Sequence, residues 1–434
     1  MADWTEHVIW WHVYPLGFAG ADTTGADRTP THRLRTIESW LDYLLDLGAN
    51  GLALGPVFTS GTHGYDTTDY FQVDPRLGDT ADLEHLIAEC RRRGIRVMLD
   101  GVFNHVGRQF APSAAVLADL AARADLTDLA DPANTLFRRT PTGELVVFEG
   151  HDTLITLNHE NPVVADLVAD VMTYWLDRGI DAWRLDAAYA MPAEFWAGVL
   201  PRVRERHPEV YVMGEVLHGD YAGFVAASGV DSVTQYELWQ AIWHAIDERN
   251  FFEIDWALTR HTAFLDVFVP YTFVGNHDVT RLASQISDER HHPHALVLLL
   301  TLGGTPAIYY GDERGLRAVK EQRAGGDDAI RPTYPASPAD LDPAGAATFV
   351  LHQELIGLRR RHPWLHTATS RPLTLTNTGY VIEVTDGSHR LVVALNLGDE
   401  TLPVDTDAAQ RLAGSATARP GGFTVPPHGW AVFG

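Results

Sequence analysis

Eight short apolar runs, each followed by a turn or by a stretch with helical spacing, set the strongest constraint on how this chain folds. They fall at 8–14, 51–58, 95–100, 181–186, 211–215, 230–235, 269–275 and 306–310. Between them, Leu34, Ile37, Leu41, Leu44 and Leu45 recur at helical spacing before Gly48, which sits where a helix would be capped. The stretch 80–93 repeats the pattern, with Leu83, Leu86, Ile87 and Cys90 on one stripe and arginines at its C-terminal end. A third stripe runs through Val164, Leu167, Val168, Val171, Met172 and Trp175 to Gly179. Strands that alternate with helices need crossover connections and therefore form a parallel sheet. Eight such units are enough to close a barrel. An open doubly wound sheet would need a glycine-rich phosphate loop after a strand, and none is found.

Several of these runs end in an acid. In Asp181-Ala182-Trp183-Arg184-Leu185-Asp186, alternation puts Trp183 and Leu185 on one face and Ala182, Arg184 and Asp186 on the other. Taken alone, Arg184 beside Asp186 reads as a structural ion pair, with the arginine keeping the acid ionised. The spacing of the other acids argues for more. Asp186 and Glu215 are 29 residues apart, one strand-helix unit, and Glu215 and Asp278 are 63 apart, two units. Asp100 precedes Asp186 by 86 residues, one unit plus an insertion. All four acids therefore fall at the C-terminal mouth of the barrel, where this architecture builds its active sites.

Carboxylates grouped around one pocket suit cleavage of a glycosidic bond, which needs one ionised carboxylate and one protonated carboxyl facing each other. Glu215, flanked by Met213, Val216 and Leu217, is the better candidate for the raised pKa. Divalent-metal phosphoryl chemistry is the competing use of such acids, but it brings anion-binding lysines or glycines; lysine is almost absent here, with Lys320 in the later barrel loops. The formal charge of −24 disfavours nucleic acid and anionic membranes as partners and leaves a neutral substrate unaffected. Cys90 is the single cysteine, so no internal disulfide forms, which fits a reducing compartment. The N-terminal stretch has no basic n-region and no apolar run reaches membrane-spanning length, so a cytoplasmic protein is expected.

Four segments then carry a resemblance. Asp100-Gly101-Val102-Phe103-Asn104-His105, the run from Gly179 to Asp186, Gly214-Glu215-Val216, and Val274-Gly275-Asn276-His277-Asp278 resemble, in order and spacing, the four signature regions of the alpha-amylase superfamily, glycoside hydrolase family 13. The resemblance implies an α/β fold: a (β/α)8 TIM barrel with a small inserted domain B and a C-terminal antiparallel β-sandwich. It implies a retaining α-glycosidase with Asp186 as nucleophile, Glu215 as general acid/base and Asp278 as the carboxylate that binds sugar hydroxyls and stabilises the transition state. Tyr65, Asp100, His105, Arg184 and His277 would bind the sugar that becomes attached, with Tyr189 on the acceptor side and Arg281 as a further substrate contact.

The segment Leu157-Asn158-His159-Glu160-Asn161-Pro162 and the loop from Val319 to Pro332 are similar to those of the cyclomaltodextrinase, neopullulanase and maltogenic amylase group, including hydrolases of cyclic maltosyl-maltose. The expected organisation is barrel over 1–104, domain B over 105–157, barrel over 158–370 and β-sandwich over 371–434. The expected activity is hydrolysis of α-1,4, and potentially α-1,6, bonds in short or cyclic maltooligosaccharides to give maltose. Transglycosylases and isomerases of the same family use the same acids and form the alternative. Ala187-Ala188-Tyr189 stands where many alpha-amylases have a lysine-histidine pair, which favours a short or cyclic substrate over starch. The group's usual N-terminal domain has no counterpart ahead of the first strand, so a monomer or a homodimer through another surface is expected. No cofactor is expected. Asn104 and the loop Asp22 to Asp27 resemble calcium-binding positions of relatives, but they lack the ligand density that calcium's oxygen shell demands.

Overall fold

A computed structural model describes residues 3–111, 136–323 and 325–434. Its centre is an eight-stranded parallel sheet: β1 (Trp10–Val13), β2 (Gly51–Leu54), β3 (Arg96–Gly101), β4 (Ala182–Leu185), β5 (Tyr211–Gly214), β6 (Ser232–Val233), β7 (Tyr271–Phe273) and β8 (Thr305–Tyr309). β1 pairs with both β2 and β8. A parallel bridge from Thr234 to Tyr271 joins the remaining edges, so the sheet closes into the expected barrel.

Alternation along the strands sorts the side chains. Trp183 and Leu185 face the helix layer, within the large outer core, whereas Ala182 lies in the barrel interior with Trp10, Ala53, Met98, Tyr211, Met213 and Ala307. The helix Pro162–Asp177 starts with Asn161 accepting the Val163 amide at 3.0 Å, has proline in its first turn, and buries Val164, Leu167, Val168, Val171, Met172 and Trp175. The helix Thr80–Arg92 opens on a reciprocal capping box between Asp79 and Asp82.

Two local expectations are corrected. The stretch 33–47 is two helices, Leu34–Glu38 and Leu41–Leu47, because the chain turns at Ser39 and Trp40 to seat the fully buried Trp40 ring among Trp11, Phe18, Tyr43 and Tyr334. The second barrel strand stops at Leu54, before Gly55-Pro56; Phe58–Ser60 instead pairs antiparallel with Thr67–Val73.

Between β3 and the helix Pro162–Asp177, strands His105–Gly107, Val147–Phe148 and His151–Thr156 form a small antiparallel sheet over one side of the barrel mouth. The expected domain B falls in part on 112–135, outside the described residues.

The C-terminal region is two facing antiparallel sheets. β9 (Thr369–Leu375), β10 (Gly379–Thr385), β11 (Arg390–Asn396), β16 (Trp430–Phe433) and β13 (Arg411–Gly414) make one; β12 (Leu402–Asp405), β15 (Gly422–Val425) and β14 (Thr417–Arg419) make the other. Val381, Val392, Ala394, Leu402, Val404, Val425, Ala431 and Phe433 fill the space between them. Tyr380 donates to Asp255 at 2.9 Å and Arg249 to the Leu397 carbonyl at 2.9 Å, which ties this sandwich to the barrel's helices. Among the described residues no helix is long and apolar enough to cross a membrane.

Candidate active site

Strand register assembles the carboxylates. β3 pairs with β4 so that Asp100 stands opposite Arg184, and β4 pairs with β5 so that Leu185 stands opposite Gly214, which places Glu215 beside Asp186. The Arg184 guanidinium then reaches three acids at once: Asp100 at 2.6 Å, Glu215 at 2.7 Å and Asp186 at 3.2 Å. All four residues are buried. A cation surrounded by three carboxylates has its charge more than balanced, and burial raises the Asp100 pKa above the usual carboxylate value despite Arg184.

That arrangement corrects the expectation that Arg184 keeps Asp186 ionised. Burial raises the Asp186 pKa well above the usual carboxylate range, the charge of Glu215 adds to this, and Arg184 opposes both without overcoming them. Glu215 also accepts the Ala187 amide at 3.0 Å and faces the Tyr236 hydroxyl at 3.4 Å; Asn276 donates to that hydroxyl at 2.8 Å. Ala187 takes a left-handed conformation, φ 45°, which is strained for alanine and turns its N–H toward Glu215.

Asp278 is held differently. Burial works against its charge, but His277, Arg331 and Arg184 outweigh burial and keep its carboxyl well below the usual range. His277 Nε2 lies 3.0 Å from one Asp278 oxygen and Arg331 lies 2.8 Å from the other. The His277 ring is nearly parallel to Tyr65, 5.4 Å away, and to Tyr14, 6.4 Å away. Tyr65 hydrogen-bonds through its hydroxyl to His277 and to Asp100, the latter at 3.2 Å.

Asp186, Glu215 and Asp278 open together into one cleft of about 360 Å³, with Tyr65, His105 and Tyr189 in its walls. Burial lowers the His105 pKa to about 4, so this ring is neutral; it stacks on Phe148 at 4.6 Å. The structure places four of the sequence-assigned residues behind the cleft wall. Asp100 is fully buried beneath Arg184 and Tyr65 and braces them from below. Arg184 and His277 likewise form the floor under the acids, lining a small void of about 20 Å³ inside the barrel. Arg281 points away altogether: its guanidinium is buried against the Tyr310 carbonyl at 2.6 Å, Asp312 at 2.9 Å and the Ile330 carbonyl at 2.7 Å.

Sequence reasoning missed Arg331, Tyr236, Phe148, Glu149, His151 and Lys320. Tyr236 starts a helix, Phe148 and His151 lie in the short strands of the inserted sheet, and Arg331, Glu149 and Lys320 sit on loops, so no periodic signal marks any of them. Glu149, at φ 48°, accepts a hydrogen bond from Tyr189 at 2.8 Å, bridging the inserted sheet to the turn after β4.

The residues that resembled calcium positions are committed within the protein. Asp22 accepts from the Thr24 hydroxyl at 2.8 Å and the Asp27 amide at 3.1 Å, Arg76 donates to the Asp22 carbonyl at 2.6 Å, and the Asn104 amide lies 3.2 Å from the His105 ring.

A sequence model described as "Alpha amylase, catalytic domain" matches residues 12–374. A cyclomaltodextrinase of Geobacillus thermopakistaniensis is 30% identical, with 99% of this chain and 77% of that protein aligned. Neopullulanase 2 of Thermoactinomyces vulgaris is 30% identical, with 83% and 63% aligned. Among solved structures, the ligand-free cyclic alpha-maltosyl-(1→6)-maltose hydrolase of Arthrobacter globiformis superposes with a TM-score of 0.80 at 25% identity, over 99% of this chain and 98% of that one. The native Nostoc punctiforme debranching enzyme gives 0.81 at 26%, over 100% and 99%.

Proposed function

Because the chain belongs to the alpha-amylase family of glycoside hydrolases, we propose that it is a retaining α-glycosidase that releases maltose from short or cyclic maltooligosaccharides. The observation that carries this reading is the grouping of Asp186, Glu215 and Asp278 around one cleft, the first two bonded to a single guanidinium. Two carboxyls facing one cleft from neighbouring strands supply the nucleophile and the acid/base that double displacement requires.

In the proposed reaction Asp278, kept ionised by His277 and Arg331, holds sugar hydroxyls. The glycosidic oxygen seats against Glu215, and Asp186 acts as the carboxylate beside Arg184. Asp186 attacks the anomeric carbon as Glu215 protonates the departing oxygen; Glu215 then takes a proton from the water that releases the sugar. Arg184 offsets the negative charge throughout.

Substrate size is read from the cleft's far side. The Tyr189–Glu149 hydrogen bond closes a strap between the inserted sheet and the barrel, and relatives named cyclomaltodextrinase and cyclic maltosyl-maltose hydrolase support a compact or ring-shaped glucan. Incubation with maltotriose, panose, pullulan, β-cyclodextrin, cyclic maltosyl-maltose and soluble starch tests this directly. The expected result is maltose released at least about tenfold faster, by kcat/KM, from the best short or cyclic substrate than from starch. Starch as the preferred substrate, or no cleavage of any, would overturn the reading. Tyr189→Phe, which removes the strap's donor, is expected to narrow that ratio.

A further inference from the structure

Lys320 is the only lysine in the chain; every other side chain that is always cationic is arginine. Guanidinium groups make many of the ion pairs and carbonyl anchors elsewhere, as with Arg76, Arg184, Arg331 and Arg359. The single exception stands in the wall of the active-site cleft, beside Asp278 and Val279. Its backbone is fixed there, since the Lys320 amide donates to the Thr280 hydroxyl at 3.0 Å. Its ammonium lies 3.2 Å from Asp327, whose other oxygen is 3.1 Å from Arg331, the arginine that holds Asp278 at 2.8 Å.

An ammonium carries three donors that rotate freely, whereas a guanidinium presents a planar fork matched to carboxylates. Asp327 occupies one direction of the Lys320 ammonium, and the side chain, 33% exposed, keeps the others for the cleft. A neutral glucan offers separate hydroxyl oxygens and no carboxylate, so the compact point donor suits it better.

We propose that Lys320 is a substrate-binding residue, donating hydrogen bonds to glucan hydroxyls on the Asp278 side of the cleft. This rests on the glycosidase reading above. The sole lysine makes the test unusually clean, because an amine-acetylating reagent modifies one side chain and the terminal amine. In the full-length Glu215→Gln variant, used to suppress turnover, saturating maltotetraose is expected to slow acetylation of Lys320 at least about fivefold and to leave the terminal amine unaffected. In the otherwise unaltered enzyme, Lys320→Met is expected to raise KM for maltotetraose about tenfold and to lower kcat by less, as loss of a charged hydrogen bond would. Lys320→Arg keeps a partner for Asp327, so it separates a structural role from substrate contact; its KM is expected to stay raised. Binding of maltotetraose, measured by calorimetry, with unchanged acetylation would overturn the proposal, and so would full recovery of KM by Lys320→Arg. Absence of both cleavage and binding of every glucan tried would instead overturn the glycosidase reading and this proposal with it.

Discussion

Asp186→Asn is expected to lower maltooligosaccharide turnover by at least about 10⁴-fold and to make the folded protein more stable at neutral pH. In the proposed mechanism the first effect follows from removing the group that attacks the anomeric carbon while leaving the rest of the cleft in place. The second follows from burial. A carboxyl whose pKa is raised by folding favours the fold fully below its unfolded value, and that contribution is lost as pH rises through the folded value. Burial and Glu215 raise Asp186 in this way, so at pH 7 the native enzyme carries a penalty that asparagine lacks. Urea midpoints should show a gain on the order of 1 kcal/mol at pH 7 that shrinks toward pH 4. A variant that is less stable at both pH values, or that keeps more than about a hundredth of native turnover, would contradict this account of the site.

Arg184→Met should have the larger effect on stability. It leaves Asp100, Asp186 and Glu215 buried without the guanidinium that touches all three. Stranding buried charge in this way costs about 3–5 kcal/mol, and turnover should fall by at least about 10³-fold because the site's charge is no longer offset. The variant should recover stability as pH falls, since protonation neutralises the stranded acids. Adding Asp100→Asn to Arg184→Met should restore part of the loss, because one of the uncompensated charges is then gone, and the double-mutant cycle would measure that coupling. Arg184→Lys should not substitute, as a single ammonium cannot span three carboxylates from one position. Denaturation curves at pH 5 and pH 7 check the direction; a pH-independent loss, or none, would show that the cluster is not electrostatically coupled.

Much of this site was legible along the chain because barrel strands obey a period of two. Alternation put Arg184 and Asp186 on one face, and regular strand spacing put Asp100, Glu215 and Asp278 at the same rim. The helices were legible wherever a stripe ran uninterrupted, as in Pro162–Asp177, and less so where one large side chain redirected the chain, as at Trp40. Sequence proximity was a poor guide inside loops. Arg281 lies three residues beyond Asp278, yet the chain turns so that Arg281 precedes the helix Leu282–Gln285 and buries its guanidinium among Tyr310, Asp312 and Ile330. Arg331 comes from 53 residues further on and holds Asp278 instead, through a loop whose path no periodicity records. Electrostatics were misjudged for a related reason: the Arg184–Asp186 pair is local, but the acids that share the guanidinium come from β3 and from the end of β5.

The most direct test is the configuration of the sugar at the moment of release. Proton NMR of an early maltotriose or cyclodextrin digest, read before mutarotation, should show the new reducing end as the α anomer, because two displacements at one carbon restore the starting geometry. Release of the β anomer first would mean a single displacement by water, and Asp186 could not then be the nucleophile.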